Sequence, residues 1–418
     1  MLFHFCTYGF LKNQRYFEPF IYLAFLDKGL NFFQIGLLIG LKEVTLNTLE
    51  VFSGILADVF SRRKLIQLSF LSYAVSFAVL AFVHQVFLLS FAMILYAIGD
   101  SFRTGTHKAM IFKWLQLNGK TDQKTKVYGY TRSWSKLGSA VSVILASGLL
   151  LYFDSYEPVF YFSMIPCLLG IANICFYPES LEEYKTPSQR PSIGQHISNT
   201  WNIMRERPVL RRLLVEAAGF EGVFLTIKDY LQPLLKTAAV LWLTGWLALP
   251  ISDTRAATLL VGPVYFVLFI GSAVASRLTH VFVRQYGNEE KASRALWVMA
   301  VWIYAGMLFG FIYLPVMALS LFVFLHILLN LWRPTIISRF DDYGASTQGA
   351  TLLSMESQAR RFTVMLMAPI LGWIIDFSGG KDNMHALWPL ALFGLVVCLI
   401  FVLSTRELDQ AEPQIKAI

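Results

Sequence analysis

The chain has 418 residues, 56% hydrophobic and 15% charged, with a formal net charge of +8. Soluble domains carry about 25% charged residues, and a soluble chain this apolar could not cover its own surface, so the composition excludes a water-soluble protein and points to an all-α membrane protein. The basic residues fall in short breaks between apolar runs and not on one polar domain, which excludes a nucleic-acid binder and is how membrane topology is written.

In chain order, twelve runs reach roughly the 20 apolar residues that a spanning helix needs: 4–27, 34–57, 64–84, 88–112, 130–153, 158–177, 211–235, 256–276, 294–313, 316–338, 349–376 and 385–404. The first ten residues hold no Lys or Arg and no small-residue cleavage site follows, so the first run is expected to stay as a spanning helix. The shorter apolar stretch 237–250 is expected as a re-entrant or external amphipathic segment between helices seven and eight. The polar break 178–210 begins as a Pro- and Ser-containing linker. It then spaces Ile193, Ile197, Trp201 and Met204 as a short amphipathic helix on the inner membrane face. The expected organisation is a six-helix bundle at 1–177, a cytoplasmic linker at 178–210, a second six-helix bundle at 211–404 and a cytoplasmic tail at 405–418. Cys6, Cys167, Cys175 and Cys398 lie in apolar stretches without metal-ligand spacing and read as small buried apolar residues.

Orientation follows from Lys and Arg. With both termini inside, the inner breaks hold Arg62, Arg63, Lys64, Lys113, Lys120, Lys124, Lys126, Lys185, Arg190, Arg205, Arg207, Arg211, Arg212, Arg277, Arg284, Lys291 and Arg294, against Lys28, Lys236, Arg255 and Lys381 outside. The two halves are faintly alike. YFEPF (Glu18) in helix one answers GFEGVF (Glu221) in helix seven, GDSFRTG (Arg103) in helix four answers LNLWRPT (Arg333) in helix ten, and LLLYFD (Asp154) closing helix five answers LGWIID (Asp376) closing helix eleven. Such repeats place a binding site between halves near the midplane.

After helix two runs GILADVFSRRKL, Gly54 to Leu65. It resembles the signature loop of the major facilitator superfamily (MFS), matching at Gly54, Leu56, Ala57, Asp58, Arg62, Arg63 and Lys64 and departing at Val59 and Ser61. The resemblance implies the MFS fold, twelve helices in two pseudo-symmetric six-helix bundles, and a gating latch built from Gly54, Asp58, Arg62, Arg63 and Lys64. The alternative is that the basic cluster only sets topology. The corresponding break in the second half, GSAVASRLTHVFVRQYG, lacks the acid, and helix five lacks the Gly pattern of drug–proton antiporters. RTGTHKAMIF and YGYTRSWSKLG resemble a bacterial-type subgroup of the same superfamily.

Ionisable residues in spanning helices cost about 2.5–3.5 kcal/mol each on insertion scales and are functional hypotheses by default. Helices one, two, four, seven, ten and eleven carry many, Lys12, Lys42, His107, Lys108, Glu216, Glu356 and Arg360 among them. At about 1.5 Å per residue, Arg15, Glu18, Glu43, Asp100, Arg103 and Glu221 fall near the middle of a core about 30 Å thick, with Arg333 slightly inward. Arginines at low dielectric grip carboxylate or phosphate in bidentate fashion, so Arg15, Arg103 and Arg333, with Asn47 and Asp100, are the expected substrate-binding residues. Partly buried carboxylates carry protons, so Glu18, Glu43 and Glu221 are the expected proton-coupling residues. The alternative is that these groups neutralise one another as structural pairs.

The sequence has no His-Glu-x-x-His helix, no nucleophile motif and no Gly-x4-Gly-Lys-Ser/Thr loop, which argues against a membrane enzyme and direct ATP use. The expected protein is a secondary active transporter of a small polar, anionic solute, working as a monomer by alternating access and coupled to H+. It is multi-pass in an inner or plasma membrane, surrounded by lipid, and needs no cofactor or metal. An efflux pump or lipid flippase of the same fold, a channel and a membrane-embedded enzyme are the alternatives.

Overall fold

In lipid a spanning backbone must satisfy its own hydrogen bonds, and the computed structural model folds almost entirely into helix. It describes residues 1–59, 61–103, 106–181, 208–343, 349–380 and 383–409, and no strand occurs among them. Of side chains, those at 51–59, 122, 124–126, 341–343, 349–353 and 405–409 are not described. The expected amphipathic helix at 193–204 lies outside the described residues.

Sixteen α-helices cover the described chain: α1 Leu2–Leu11, α2 Ile21–Asp27, α3 Phe32–Val59, α4 Arg62–Phe82, α5 Val86–Arg103, α6 Thr106–Leu117, α7 Lys124–Phe153, α8 Pro158–Cys175, α9 Pro208–Ala217, α10 Val223–Ile227, α11 Leu231–Ala239, α12 Asp253–Tyr286, α13 Glu289–Tyr313, α14 Pro315–Tyr343, α15 Gly349–Phe377 and α16 Trp388–Asp409. Among the described residues, eight helical stretches are by themselves long and apolar enough to cross a membrane. The first expected span is broken: α1 stops at Leu11, and a 3-10 turn at Glu18–Phe20 leads into α2. Pro19 sits inside that 3-10 turn, where its missing N–H keeps a regular α-helical ladder from running through to α2. The seventh span is also irregular. A π-helical turn at Ala218–Gly222 joins α9 to α10, a 3-10 turn at Lys228–Tyr230 joins α10 to α11, and a second π stretch, Val240–Trp246, follows α11.

That last stretch corrects the reading of 237–250 as a separate segment. Nothing between Thr237 and Thr244 breaks a helix, and Thr244 Oγ1 donates to the Val240 carbonyl at 2.6 Å. The helix therefore runs on to Trp246, and the chain leaves it only at Ala248, where φ is +48°, followed by Pro250.

Two compact units form. The first holds residues 1–30, 38–195 and 239–266, the second 31–37, 196–238 and 267–418. In the first, α4 packs on α5 and α8, and α1 on α7 and α8. Phe17, Phe77, Tyr96 and Phe160 form an aromatic core. In the second, α13 packs on α14 and α16, and α15 on the π turn at Ala218–Gly222. Trp332 is fully buried and stacks on Phe220 at 4.1 Å.

Each unit carries an acid at the end of a helix that answers the start of another. In the second unit Asp376, in the last turn of α15, accepts the Phe32 and Phe33 N–H groups at 3.0 and 2.8 Å, a favourable place for a carboxylate at a helix N-terminus. Glycines let the two backbones meet: a Cβ on Gly36 would stand 2.7 Å from Pro369 Cα, and one on Gly372 2.9 Å from Phe33 Cα. In the first unit Asp154 closes α7 in the left-handed conformation. It accepts the Ser252 hydroxyl, which in turn caps α12 by accepting the Arg255 N–H at 3.2 Å.

Cys6, Cys167 and Cys398 are buried as expected. Cys175 is exposed, because it ends α8 and its Sγ faces the polar side chain of Gln67, whose Nε2 donates to it at 3.4 Å.

Candidate functional site

The break after α1 places Lys12 and Arg15 on non-helical backbone. Short turns satisfy its polar groups: Asn13 Nδ2 donates to the Gly9 carbonyl at 2.7 Å, and Gln14 Nε2 to the Gly138 carbonyl at 3.0 Å. Arg15 then reaches α5, where its Nη2 lies 3.6 Å from Asp100. Arg103, one turn along α5, donates to the same Asp100 oxygen at 2.6 Å. The Tyr73 hydroxyl of α4 donates to it as well, and the Arg103 guanidinium lies 5.6 Å from the Tyr73 ring centroid, within cation–π range. One carboxylate thus holds two guanidinium groups and a phenol. Of the expected residues, Arg15, Asp100 and Arg103 are brought together. Glu18 opens the 3-10 turn, where its N–H donates to the Arg15 carbonyl at 3.1 Å. Glu43 is buried and pairs with its neighbour Lys42 at 2.7 Å. Asn47 is half-buried one turn further along α3.

A cavity of about 490 Å³ opens beside this cluster in the first unit, between α1, α5, α6 and α7. That is within the usual range of small-molecule sites. Its charged lining is Lys12, Arg103, Lys108, Arg132 and Lys136, and no Asp or Glu lines it among the described residues. His107 and Tyr8 stack in its wall at 3.7 Å between ring centroids, and His107 Nε2 meets the Tyr177 hydroxyl at 2.9 Å.

The second unit holds a separate, charge-balanced ring. Arg333 of α14 donates to Glu221 and to Glu356, both at 2.5 Å. Arg360 donates to Glu221 and stands 3.6 Å from Glu356. The two carboxylates are buried, with Glu356 at 0% exposure. Glu356 Oε2 has no hydrogen-bond partner among the described residues. The π turn matters here: it carries Glu221 and packs against α15, which supplies Glu356 and Arg360. Arg333 and Glu221 are the expected residues brought together. A second buried pair lies in the same unit, where Arg339 donates to Glu216 at 2.6 Å and to Ser293 at 2.9 Å, and Arg212 donates to Glu216 at 3.1 Å.

Sequence reasoning named Glu216, Glu356 and Arg360 as ionisable but kept them out of the site, and passed over Tyr73 and Arg339. Two signals were in view: Glu356 and Arg360, like Arg212 and Glu216, are four apart and so share a helix face.

In the signature loop, Gly54 and Asp58 fall in the final turns of α3, and their side-chain surroundings lie outside the described residues. Ser61 caps α4 by accepting the Lys64 N–H at 3.4 Å. Arg63 donates to the Cys175 carbonyl at 3.5 Å and lies 3.9 Å from the exposed Glu179. A pair this exposed contributes about 0–1 kcal/mol. Arg62 is half-buried and Lys64 exposed.

Comparison with known proteins adds the following. The family model described as Major Facilitator Superfamily matches residues 2–354. Multidrug resistance protein MdtH of Salmonella typhimurium is 25% identical over 135 residues, which is 32% of this chain and 33% of that protein; a Klebsiella pneumoniae relative of the same name is 26% identical over the same share. The chain thus spans about a third of the length of the curated relatives it matches. Among solved structures, the nucleoside transporter NupG superposes with a TM-score of 0.75 at 13% identity, over 96% of this chain and 98% of that one. A D-xylose-proton symporter superposes with a TM-score of 0.67 at 13% identity, over 95% of each chain. At these identities the likeness shows the fold.

Proposed function

The chain belongs to the major facilitator superfamily, and from that premise we propose that this multi-pass membrane transporter, which is not an enzyme, moves a small polar, anionic solute by alternating access. The observation that carries the anionic reading is the 490 Å³ cavity lined by five cationic side chains and no acid among the described residues. Cationic side chains set among spanning helices are costly, and an anion in the cavity offsets that cost.

Arg15 and Arg103 contact the solute, oriented by Asp100, and Asn47 supplies a neutral hydrogen-bonding group on the same route. Arg333 acts as the shared counter-charge of two buried carboxylates. Proton coupling belongs to Glu221, together with Glu18 and Glu43, with Glu356 added by its unpartnered oxygen. The loop Gly54, Asp58, Arg62, Arg63 and Lys64 is the inner latch, residues 1–177 and 211–404 are the two six-helix bundles, and both termini face the cytoplasm. The protein works as a monomer.

The test is uptake of candidate anions into proteoliposomes with and without an imposed pH gradient. Gradient-driven uptake of an anion, lost in Arg103→Ala and uncoupled from the gradient in Glu221→Gln, is expected. Uptake of a cation or neutral solute in place of every anion tried refutes the anionic reading. Uptake indifferent to Glu18→Gln and Glu221→Gln together refutes the coupling assignment.

A further inference from the structure

We infer that the cavity between α1, α6 and α7 is a subsite for a doubly charged tetrahedral oxyanion, the chemistry of a phosphate monoester or sulfate, held by Lys12, Lys108, Arg132 and Lys136. None of these four was among the residues expected from sequence to bind substrate.

Their arrangement makes the argument. Arg132 and Lys136 are one turn apart on α7, so they present one face, and both are exposed to the cavity. Lys12 enters from the break after α1, and Lys108 from the start of α6. Among the described residues none of the four forms an ion pair with an acid. Lys12 and Lys108 meet aromatic faces: Lys12 lies 5.8 Å from the Tyr8 centroid, and Lys108 5.3 Å from that of Tyr128 and 5.5 Å from that of Phe112. Arg103, the fifth cation, shares the Asp100 carboxylate with Arg15. The remaining charges stand close enough to repel: Lys12 feels Arg103, Arg15 and Arg132 against the one carboxylate Asp100, and Lys136 feels Arg132. A single carboxylate would neutralise one of four. A dianion with oxygens on several sides accepts from ammonium and guanidinium groups converging from α6, α7 and the break after α1, and guanidinium–phosphate bonds are among the strong ones.

This rests on the reading of the protein as an anion carrier, and binding and transport separate the two. The purified full chain in uncharged detergent is equilibrated with radiolabelled sulfate, and acetate, chloride and inorganic phosphate compete at constant ionic strength. Sulfate and phosphate are expected to bind about tenfold or more tightly than acetate or chloride. Arg132→Gln and Lys136→Gln are each expected to weaken sulfate about tenfold, the worth of one charge-assisted hydrogen bond. Lys136→Arg keeps binding and guards against misfolding, and Arg284→Gln, an exposed cation outside the cavity, leaves it unchanged. Acetate binding as well as sulfate, or the Gln variants binding like the parent, overturns the proposal. Loss of binding in Arg284→Gln equal to that in Arg132→Gln does so too. Displacement of sulfate by methyl phosphate assigns the subsite to a soluble solute, displacement by short-chain phosphatidic acid alone assigns it to a lipid headgroup, and displacement by neither overturns it. Sulfate binding with no anion uptake in proteoliposomes refutes the carrier reading and leaves the subsite standing; uptake without sulfate binding refutes the subsite and leaves the carrier.

Discussion

Replacing Arg333 by Met tests whether the ring in the second unit holds that unit together. Arg333 donates to Glu221 and Glu356 at 2.5 Å each. Once it is gone, Glu221 keeps Arg360, whereas Glu356 keeps only the longer 3.6 Å approach of Arg360 Nε among the described partners. Glu356 is fully buried, so the variant strands one carboxylate and not two. Removing one partner of a buried pair costs about 3–5 kcal/mol, and the residual Arg360 contact puts the expectation at the lower end, about 3 kcal/mol. The double variant Arg333→Met with Glu356→Gln removes one positive and one negative charge and leaves the Glu221–Arg360 pair intact. It should therefore recover about half of the loss, roughly 1.5 kcal/mol, and the Glu356→Gln single variant completes the cycle from which the coupling is read. Reversible unfolding of the purified protein in mixed micelles measures both. A loss under about 1 kcal/mol in the single variant, or strict additivity in the double, refutes the reasoning.

Other outcomes follow from the same structure. Asp376→Ala removes the acceptor of two N–H groups at the start of α3 and should cost about 1–2 kcal/mol, with faster hydrogen exchange at Phe32 and Phe33. Gly372→Val forces the α15 backbone off Phe33 and should lower the thermal midpoint of the detergent-solubilised protein more than Gly380→Val, where nothing stands within 4 Å; Gly380 has positive φ, which makes this a stringent comparison. Asp100→Asn leaves Arg15 and Arg103 without their shared anion and is expected to slow transport about tenfold or more, with Tyr73→Phe milder; equal uptake by parent and Asp100→Asn speaks against the cluster. Maleimide should label one cysteine per folded chain, Cys175, and a second reactive thiol contradicts the burial of Cys6, Cys167 and Cys398.

Much of this architecture is legible in the sequence, because lipid leaves a spanning segment few choices. Run lengths alone place the helices, and the signature loop after helix two carries the family. What escapes is irregular backbone and partner choice. Pro19 marks the break near Glu18, but nothing as simple marks the π turn at Ala218–Gly222, which depends on packing against α15. Arg333 looks like a solute ligand when only its helix and depth are known. The structure gives it two carboxylates, one on a π turn 112 residues away, and no spacing rule reaches that far. Glu356 and Arg360 were within reach of the four-residue rule. Lys108, Arg132 and Lys136 were not, since a shared cavity wall is set by how α6 and α7 fold back on α1.

The seam where Asp376 covers the first residues of α3 is brittle. Its two hydrogen bonds span 3.0 and 2.8 Å, and beneath them glycine backbones touch with no side chain between to stretch or re-pack. A displacement of about an ångström takes both bonds past useful length together and opens a slot that water can enter.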